Sequence, residues 1–376
     1  MKSENVLMLA DSERDADMLY AVGMFAPDPL LYLNVRGKAY LVLNDLEIGR
    51  ARRCAAHCHI VALSQVTNRL RRDGIEAPEW ADVIRSVLRQ RGVRKVVVPA
   101  HFPFALARKL RNRKIKLRVR DGAFFPKRQL KSAEEVKKIS AALMMAEVGL
   151  SEAIQTLKNA RIAKNRRLLF HNVPLTSEKL RAIIDTAVLQ AGGLARHTIV
   201  AGGRQACDPH ECGTGPLRAH EPIIIDIFPR SQKTGYYGDI TRTVVKGRAS
   251  DGVRRLFHAV ARAQDLAFRK IKAGVTCSEA HAAVHDFFDR EGYVTRRRNG
   301  QMEGFFHGTG HGLGLEIHEA PRIGPNSNDP LLPGQVVSIE PGLYYSELGG
   351  VRLEDVAHLS AQRTRNLTKF EKVLEV

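Results

Sequence analysis

Cysteine is scarce in this sequence. There are five in 376 residues, an odd number, with Cys54 near Cys58, Cys207 near Cys212, and Cys277 alone. A secreted disulfide framework needs a fuller and even set, so free thiols are expected. Long apolar runs are missing too, and none approaches the roughly 18 residues of a membrane span, so no membrane insertion is expected. The N-terminal stretch MKSENVLMLADSERDAD lacks the basic start and apolar core of a signal peptide, which makes the cytoplasm the expected location. No repeat at a period of about 20–50 residues and no low-complexity linker is present. Acids are outnumbered, 40 against 59 Lys and Arg, for a net charge of +19. Such an excess suits nucleic acid, an anionic surface or an acidic partner. It is spread over many segments, which also suits solvated faces. The densest run, Arg108 to Arg120, holds eight basic residues in thirteen. It reads as a solvated strand face or, more sharply, as a face for polyanions.

What is present is ordinary for a globular protein: 44% apolar and 26% charged residues, in a chain long enough for two domains. Residues 1–128 read as a small mixed unit. Leu30 to Leu33 and Ala39 to Leu43 flank Arg36-Gly37 as a hairpin, and Lys95 to Pro99 is a buried strand. Glu79 to Leu88 and Phe104 to Leu110 have helical spacing, while Ile115, Leu117 and Val119 alternate with basic residues as a strand with one wet face. Ser132-Ala-Glu-Glu135 is a capping-box pattern, which predicts a long helix opening a second domain over 131–376. There, helical segments (178–189, 253–271, 278–291) alternate with apolar strands such as Ile223 to Phe228 and Val336 to Ile339.

Five segments of the second domain set acids or histidine among apolar residues or glycines: IIIDIF, YYGDITRT, HGTGHGLGLEIHEAP, VVSIEPG and GVRLEDV. A buried carboxylate without a partner is costly, so such groups pair or bind metal. One acid could be a structural ion pair, but four with a glycine-flanked histidine in one domain are hard to explain that way. Gly308, Gly310, Gly312 and Gly314 are expected to supply positive φ and close backbone approach. One imidazole and four carboxylates without thiolate favour hard cations such as Mn²⁺ and admit Fe²⁺, Co²⁺ or Zn²⁺. Four negative charges match two divalent cations.

In this order the five segments resemble the pita-bread metallopeptidases of family M24, which include methionine aminopeptidase, aminopeptidase P and prolidase, and the metal-free creatinase. The resemblance implies an α/β (α+β) architecture: a creatinase-type domain over 1–128, then a pita-bread catalytic domain over 131–376. It implies a ligand set of Asp226, Asp239, His311, Glu340 and Glu354, with Asp239 and Glu354 bridging two divalent ions. It further implies that His318 steadies the scissile carbonyl and oxyanion, that Glu340 shuttles a proton, and that His210 faces substrate. His307 is implied as a substrate or supporting contact, and Arg352 as the partner of site carboxylates. The chain departs from the family in having two extra residues between Asp226 and Asp239, and Phe228 where glycine is frequent. Both fit a longer hairpin.

The expected activity is a metallo-aminopeptidase cleaving the Xaa-Pro bond at the N-terminus of peptides or dipeptides, as a homodimer, on substrates with proline second. The alternatives are a metal-dependent hydrolase of a non-peptide amide and a nucleic-acid-associated binding protein of the same fold. Retention of all five ligand positions argues against the latter. Cys207-x-x-His210-x-Cys212 fits no common structural zinc spacing. His281 and His285 lack the glutamate of HExxH and read as surface or core residues.

Overall fold

The computed structural model describes residues 4–376, and the chain divides into two compact units, the first ending at Arg128 and the second running from Gln129 to Val376. In the first unit, a six-stranded mixed sheet has the order Cys58–Ala62, Lys38–Leu43, Leu30–Val35, Val6–Ala10, Lys95–Val98, Lys116–Val119. Its hairpin turns on Arg36 (φ 52°) and Gly37 (φ 84°), the left-handed pair that a two-residue loop requires. Leu7, Leu31 and Leu33 face one apolar cluster and Val6, Met8 and Tyr32 the other. Burial on both faces explains why these strands read as continuous apolar runs.

The basic run forms the helix Phe104–Asn112 and the edge strand Lys116–Val119. Burial falls along that segment, from buried Ile115 to Val119, which is 47% exposed. Half of its cations are ion-paired: Lys109 and Arg113 with Glu79, Arg113 also with Asp82, and Arg118 and Arg120 with Glu4.

The second unit opens with the helix Ala133–Asn159. The capping box forms: Ser132 Oγ accepts from the Glu135 amide (3.3 Å), and the Glu135 carboxylate accepts from the Ser132 amide (2.9 Å). Val136, Ile139, Leu143 and Leu150 are its buried face. Further helices span Ser177–Gln190, Asp251–Lys270 and Cys277–Arg290. Ile223–Ile227 is the centre of a three-stranded antiparallel sheet, between Ile199–Gly202 and Ile240–Val244. A five-stranded sheet has the order Glu319–Ile323, Gly310–Gly312, Val336–Ile339, Asp355–Leu359, Thr364–Asn366. The two sheets meet where Thr241 bridges to Glu354, whose amide donates to the Thr241 carbonyl at 3.0 Å. Candidate ligands from both sheets therefore converge on one seam.

The glycines of HGTGHGLG correct one expectation. None of Gly308, Gly310, Gly312 and Gly314 has positive φ. Their use is close approach: a Cβ on Gly310 would lie 2.0 Å from the Ser338 carbonyl oxygen, and one on Gly312 would lie 2.2 Å from that of Ala320. Strands as near as these exclude any side chain.

Candidate active site

Each candidate ligand is set by a strand or its end. Asp226 lies within Ile223–Ile227, opposite Ile199 on one side and Thr241 on the other. Asp239 ends the hairpin that follows and directly precedes Ile240–Val244. Within that hairpin Arg230–Ser231 pairs with Gly193–Leu194. A Cβ on Gly238 would lie 2.4 Å from the Leu143 amide nitrogen and 2.5 Å from the Ala142 carbonyl. The hairpin thus rests on the backbone of the long helix, which fixes Asp239. His311 is the middle residue of Gly310–Gly312, its amide donating to Ser338 Oγ at 3.1 Å. Glu340 follows Val336–Ile339, its amide held by the Thr309 carbonyl at 2.9 Å. Glu354 sits between Gly349–Arg352 and Asp355–Leu359.

The structure brings these five side chains together. Ligand atoms of Asp239, His311 and Glu354 lie within 4.8 Å of one another. His311 Nε2 is 3.6 Å from Asp239 Oδ2 and 3.3 Å from Glu340 Oε1. Arg352 Nη2 donates to Asp226 Oδ2 at 2.7 Å, Thr241 Oγ1 to Glu354 Oε2 at 2.8 Å, and Ser338 Oγ to Glu340 Oε1 at 3.2 Å.

These side chains fit a cation. Asp226 Oδ1 and Glu354 Oε1 are buried with no hydrogen-bond partner, in a position that normally demands one. Burial, then the charges of Glu354, Asp226 and Glu340, push the Asp239 carboxyl well above its ordinary range. Burial and neighbouring Glu340 and Asp226 do the same to Glu354, and burial raises Glu340. Burial lowers His311 to about 4, so its ring is neutral near pH 7. His311 Nδ1 lies 3.1 Å from the Gly312 carbonyl, which can only accept, so the proton sits there. Nε2 then turns a bare lone pair toward two carboxylates. Lone pair and carboxylate oxygens at this separation repel unless a proton or a cation lies among them, and a neutral imidazole oriented by a backbone carbonyl is the usual form of a histidine ligand.

The ligands line a cavity of about 860 Å³ that also takes in His210, His307, His318 and Arg352. His307 is locked from both sides: Nδ1 donates to the Gly308 carbonyl (2.8 Å) and Nε2 accepts from the Tyr344 hydroxyl (2.9 Å). Arg352 Nη1 donates in turn to Tyr344 at 3.1 Å. His318, an exposed residue on the cavity wall, stands edge-on to His311, ring centroids 4.4 Å apart at 84°, and partial desolvation with the neighbouring His311 and Arg322 lowers it to about 4. His210 is exposed on the rim, its amide held by Asp208 at 3.0 Å. Phe228 and Phe306 supply apolar wall.

Sequence reasoning missed Tyr344, Thr241 and Ser338. Ser338 and Thr241 lie two residues from Glu340 and Asp239, so alternation along a strand could have flagged both. Tyr344 carries no comparable signal, since an apolar strand tolerates a tyrosine without a site. Among the described residues, Cys207, His210 and Cys212 form no group able to hold a metal. His281 is a buried core histidine bonded to Thr309 Oγ1 (2.9 Å).

Comparison with known proteins places this geometry. Residues 137–361 match the family model described as metallopeptidase family M24. The chain is 33% identical over 249 residues to the uncharacterized peptidase YqhT of Bacillus subtilis, covering 66% of this chain and 64% of that protein. It is 30% identical over 250 residues to an Xaa-Pro dipeptidase of Pyrococcus furiosus, covering 66% and 65%. The match thus spans just under two thirds of the length of these two relatives. Among solved structures, an Xaa-Pro dipeptidase from Bacillus anthracis superposes with a TM-score of 0.83 at 23% identity over 99% of this chain and 95% of that one. An X-Pro aminopeptidase from Thermotoga maritima superposes with 0.82 at 22% over 99% and 97%. The fold is therefore the two-unit α/β fold of those structures. The family match covers more than half of the chain and contains every candidate ligand, so this protein belongs to metallopeptidase family M24.

Proposed function

We propose that the protein hydrolyses the Xaa-Pro bond at the N-terminus of dipeptides and short peptides, using two divalent cations per chain. The observation that carries this reading is the set of four carboxylates, three of them buried, around a neutral His311, with Asp226 Oδ1 and Glu354 Oε1 unpartnered, on the wall of a substrate-sized cavity. Asp226, Asp239, His311, Glu340 and Glu354 would hold the ions, with Asp239 and Glu354 shared between them. The oxygen-rich set suits Mn²⁺ first and accommodates Co²⁺, Zn²⁺ or Fe²⁺. When bound, such ions supply Lewis-acid polarisation of a carbonyl and a water of lowered pKa.

The chain's own residues supply the rest. His318 donates a hydrogen bond to the oxygen that gains charge at the scissile carbonyl. Glu340 carries a proton to the leaving nitrogen, with Ser338 Oγ holding one of its oxygens at 3.2 Å. Proline is a secondary amine leaving group, and its nitrogen needs that proton. Arg352 holds Asp226 in place, and the Tyr344–His307 pair presents a fixed imidazole to the substrate. His210 closes the rim. The apolar wall from Ile199, Phe228 and Phe306 suits a pyrrolidine ring.

Arg322 favours the dipeptide. Its exposed guanidinium lies on the cavity wall, where a substrate carboxylate would meet it. Four of the curated relatives are Xaa-Pro dipeptidases. The test is turnover of Ala-Pro against Ala-Pro-Ala with Mn²⁺, in the unmodified protein and in Arg322→Ala. Preference for Ala-Pro that Arg322→Ala reduces by about tenfold is expected. Cleavage of neither peptide refutes the function, and an unchanged preference refutes the dipeptide reading.

The first unit is read as a creatinase-type domain, and the molecule as a cytoplasmic homodimer. Among the described residues no helix is long and apolar enough to cross a membrane. A polyanion contact would use the exposed Arg108, Arg111, Lys114 and Lys116, the cations of the basic run left outside ion pairs.

A further inference from the structure

His318 is loosely supported in the cavity. Its ring touches His311 but has no hydrogen-bond partner among the described residues. It lies on the loop between Gly310–Gly312 and Glu319–Ile323, where strand register shifts between His311 and Gly312. Its position therefore depends on how the backbone is anchored on either side.

The anchor on the C-terminal side is Glu319. Gly312 pairs with Glu319 in the sheet, which fixes the main chain. The Glu319 carboxylate is ion-paired with the Lys131 ammonium, and both side chains are almost wholly buried, 7% and 1% exposed. A Cβ on Gly314 would lie 2.5 Å from Glu319 Oε1, so the carboxylate lies flat against the turn that leads into His318. Lys131 is itself held: its amide donates to the Gly334 carbonyl (2.7 Å) and its ammonium to the Gln129 carbonyl (3.3 Å). Gly334 lies two residues before Val336–Ile339, the strand that leads into Glu340. One lysine thus ties the loop carrying His318 to the approach of the strand carrying Glu340. A buried ion pair contributes little net stability over an apolar pair, so its use lies in fixing one arrangement.

We propose that Lys131 and Glu319 are positioning residues, holding His318 at the reaction centre at a fixed distance from Glu340. This rests on the proposed role of His318 in Xaa-Pro hydrolysis. Neither residue touches substrate. Their effect reaches the reaction only through the imidazole, and that makes it separable from a general structural role.

The experiment is a double-mutant cycle on the whole protein loaded with Mn²⁺, using Ala-Pro. Lys131→Met should lower kcat about tenfold, as a misplaced catalytic group does, with KM and metal content near those of the unmodified protein. Lys131→Arg should restore most of the loss. In a His318→Ala background, adding Lys131→Met should cost less than about twofold, because the group it positions is gone. Glu319→Gln, which keeps the side-chain shape, should behave like Lys131→Met and serves if the latter fails to fold. Lys137→Met, which breaks an exposed ion pair with Glu134, is the control. An equal loss in both backgrounds, or native kcat with the pair broken, overturns the proposal. Native kcat in His318→Ala would instead refute the proposed role of His318, and no turnover in the unmodified protein would refute the function itself; either result takes the proposal with it.

Discussion

Asp239→Asn makes two opposite predictions from one change. In the metal-free protein Asp239 is buried among Glu354, Asp226 and Glu340, whose charges oppose its own. Ligand atoms of Asp239 and Glu354 lie within 4.8 Å, and two unit charges at that distance in an effective dielectric of about 20 repel by about 3 kcal/mol. A proton taken up by one carboxyl already relieves part of this. Removing the charge by substitution should therefore stabilise the metal-free protein by about 1–3 kcal/mol. For a domain of this size that is roughly 2–10 °C in Tm. With Mn²⁺ the order reverses. The unmodified protein gains about 4 kcal/mol when free metal is a thousandfold above Kd. Asn offers one neutral oxygen and cannot bridge, so the variant should lose most of that gain, at least one ion and nearly all turnover. The assay is scanning calorimetry with and without Mn²⁺, beside metal analysis and Ala-Pro turnover. Asp251→Asn, at an exposed helix start, is the control and should change little. A metal-free variant less stable than the unmodified protein that keeps the full Mn²⁺ shift would refute the reasoning.

Three further outcomes follow. The metal-free protein should lose stability as pH rises above about 6.5: desolvation lowers His307, His311 and His318 to about 4, so they are neutral in both states there. Asp239 and Glu354, raised well above their ordinary range, bind more protons folded than unfolded, so deprotonation opposes folding. Denaturant titrations across pH 6.5–9 (about three pH values suffice) check this, and rising stability would contradict it. Gly310→Ala should cost more than about 4 kcal/mol or prevent folding, because its Cβ would lie 2.0 Å from the Ser338 carbonyl oxygen, and near-native Tm would count against the strand spacing. If Arg108, Arg111, Lys114 and Lys116 bind polyanions, the protein should elute from heparin with steep salt dependence that charge reversal at these four abolishes, and elution unchanged by reversal would leave them a solvated face.

Much of the site could be read from sequence because its chemistry is local to short segments. Acids inside IIIDIF and VVSIEPG contradict their apolar surroundings, and only pairing or metal resolves that conflict. The Ser132–Glu135 box and the Arg36-Gly37 turn were legible for a similar reason, since each is decided by residues within four positions. The glycines of HGTGHGLG were legible as necessary but not for the right cause. Positive φ is a property of one residue, whereas their use is proximity to Ser338 and Ala320 on other strands. Tyr344 between Arg352 and His307, and Lys131 against Glu319, are contacts across 8 to 188 positions between residues that are individually unremarkable. The half-neutralised basic run belongs with them, because Glu4 and Glu79 reach it only in the folded unit.

The central claim is that five side chains build a two-cation hydrolytic centre. Protein stripped by chelator and titrated with Mn²⁺ tests it most directly, with Ala-Pro turnover and bound metal measured at each step. The account predicts negligible turnover without metal, and turnover that rises to a plateau as bound metal approaches about two ions per chain, as a shared carboxylate pair requires. Turnover in metal-free protein, or a single tight ion with full activity at saturation, would contradict it.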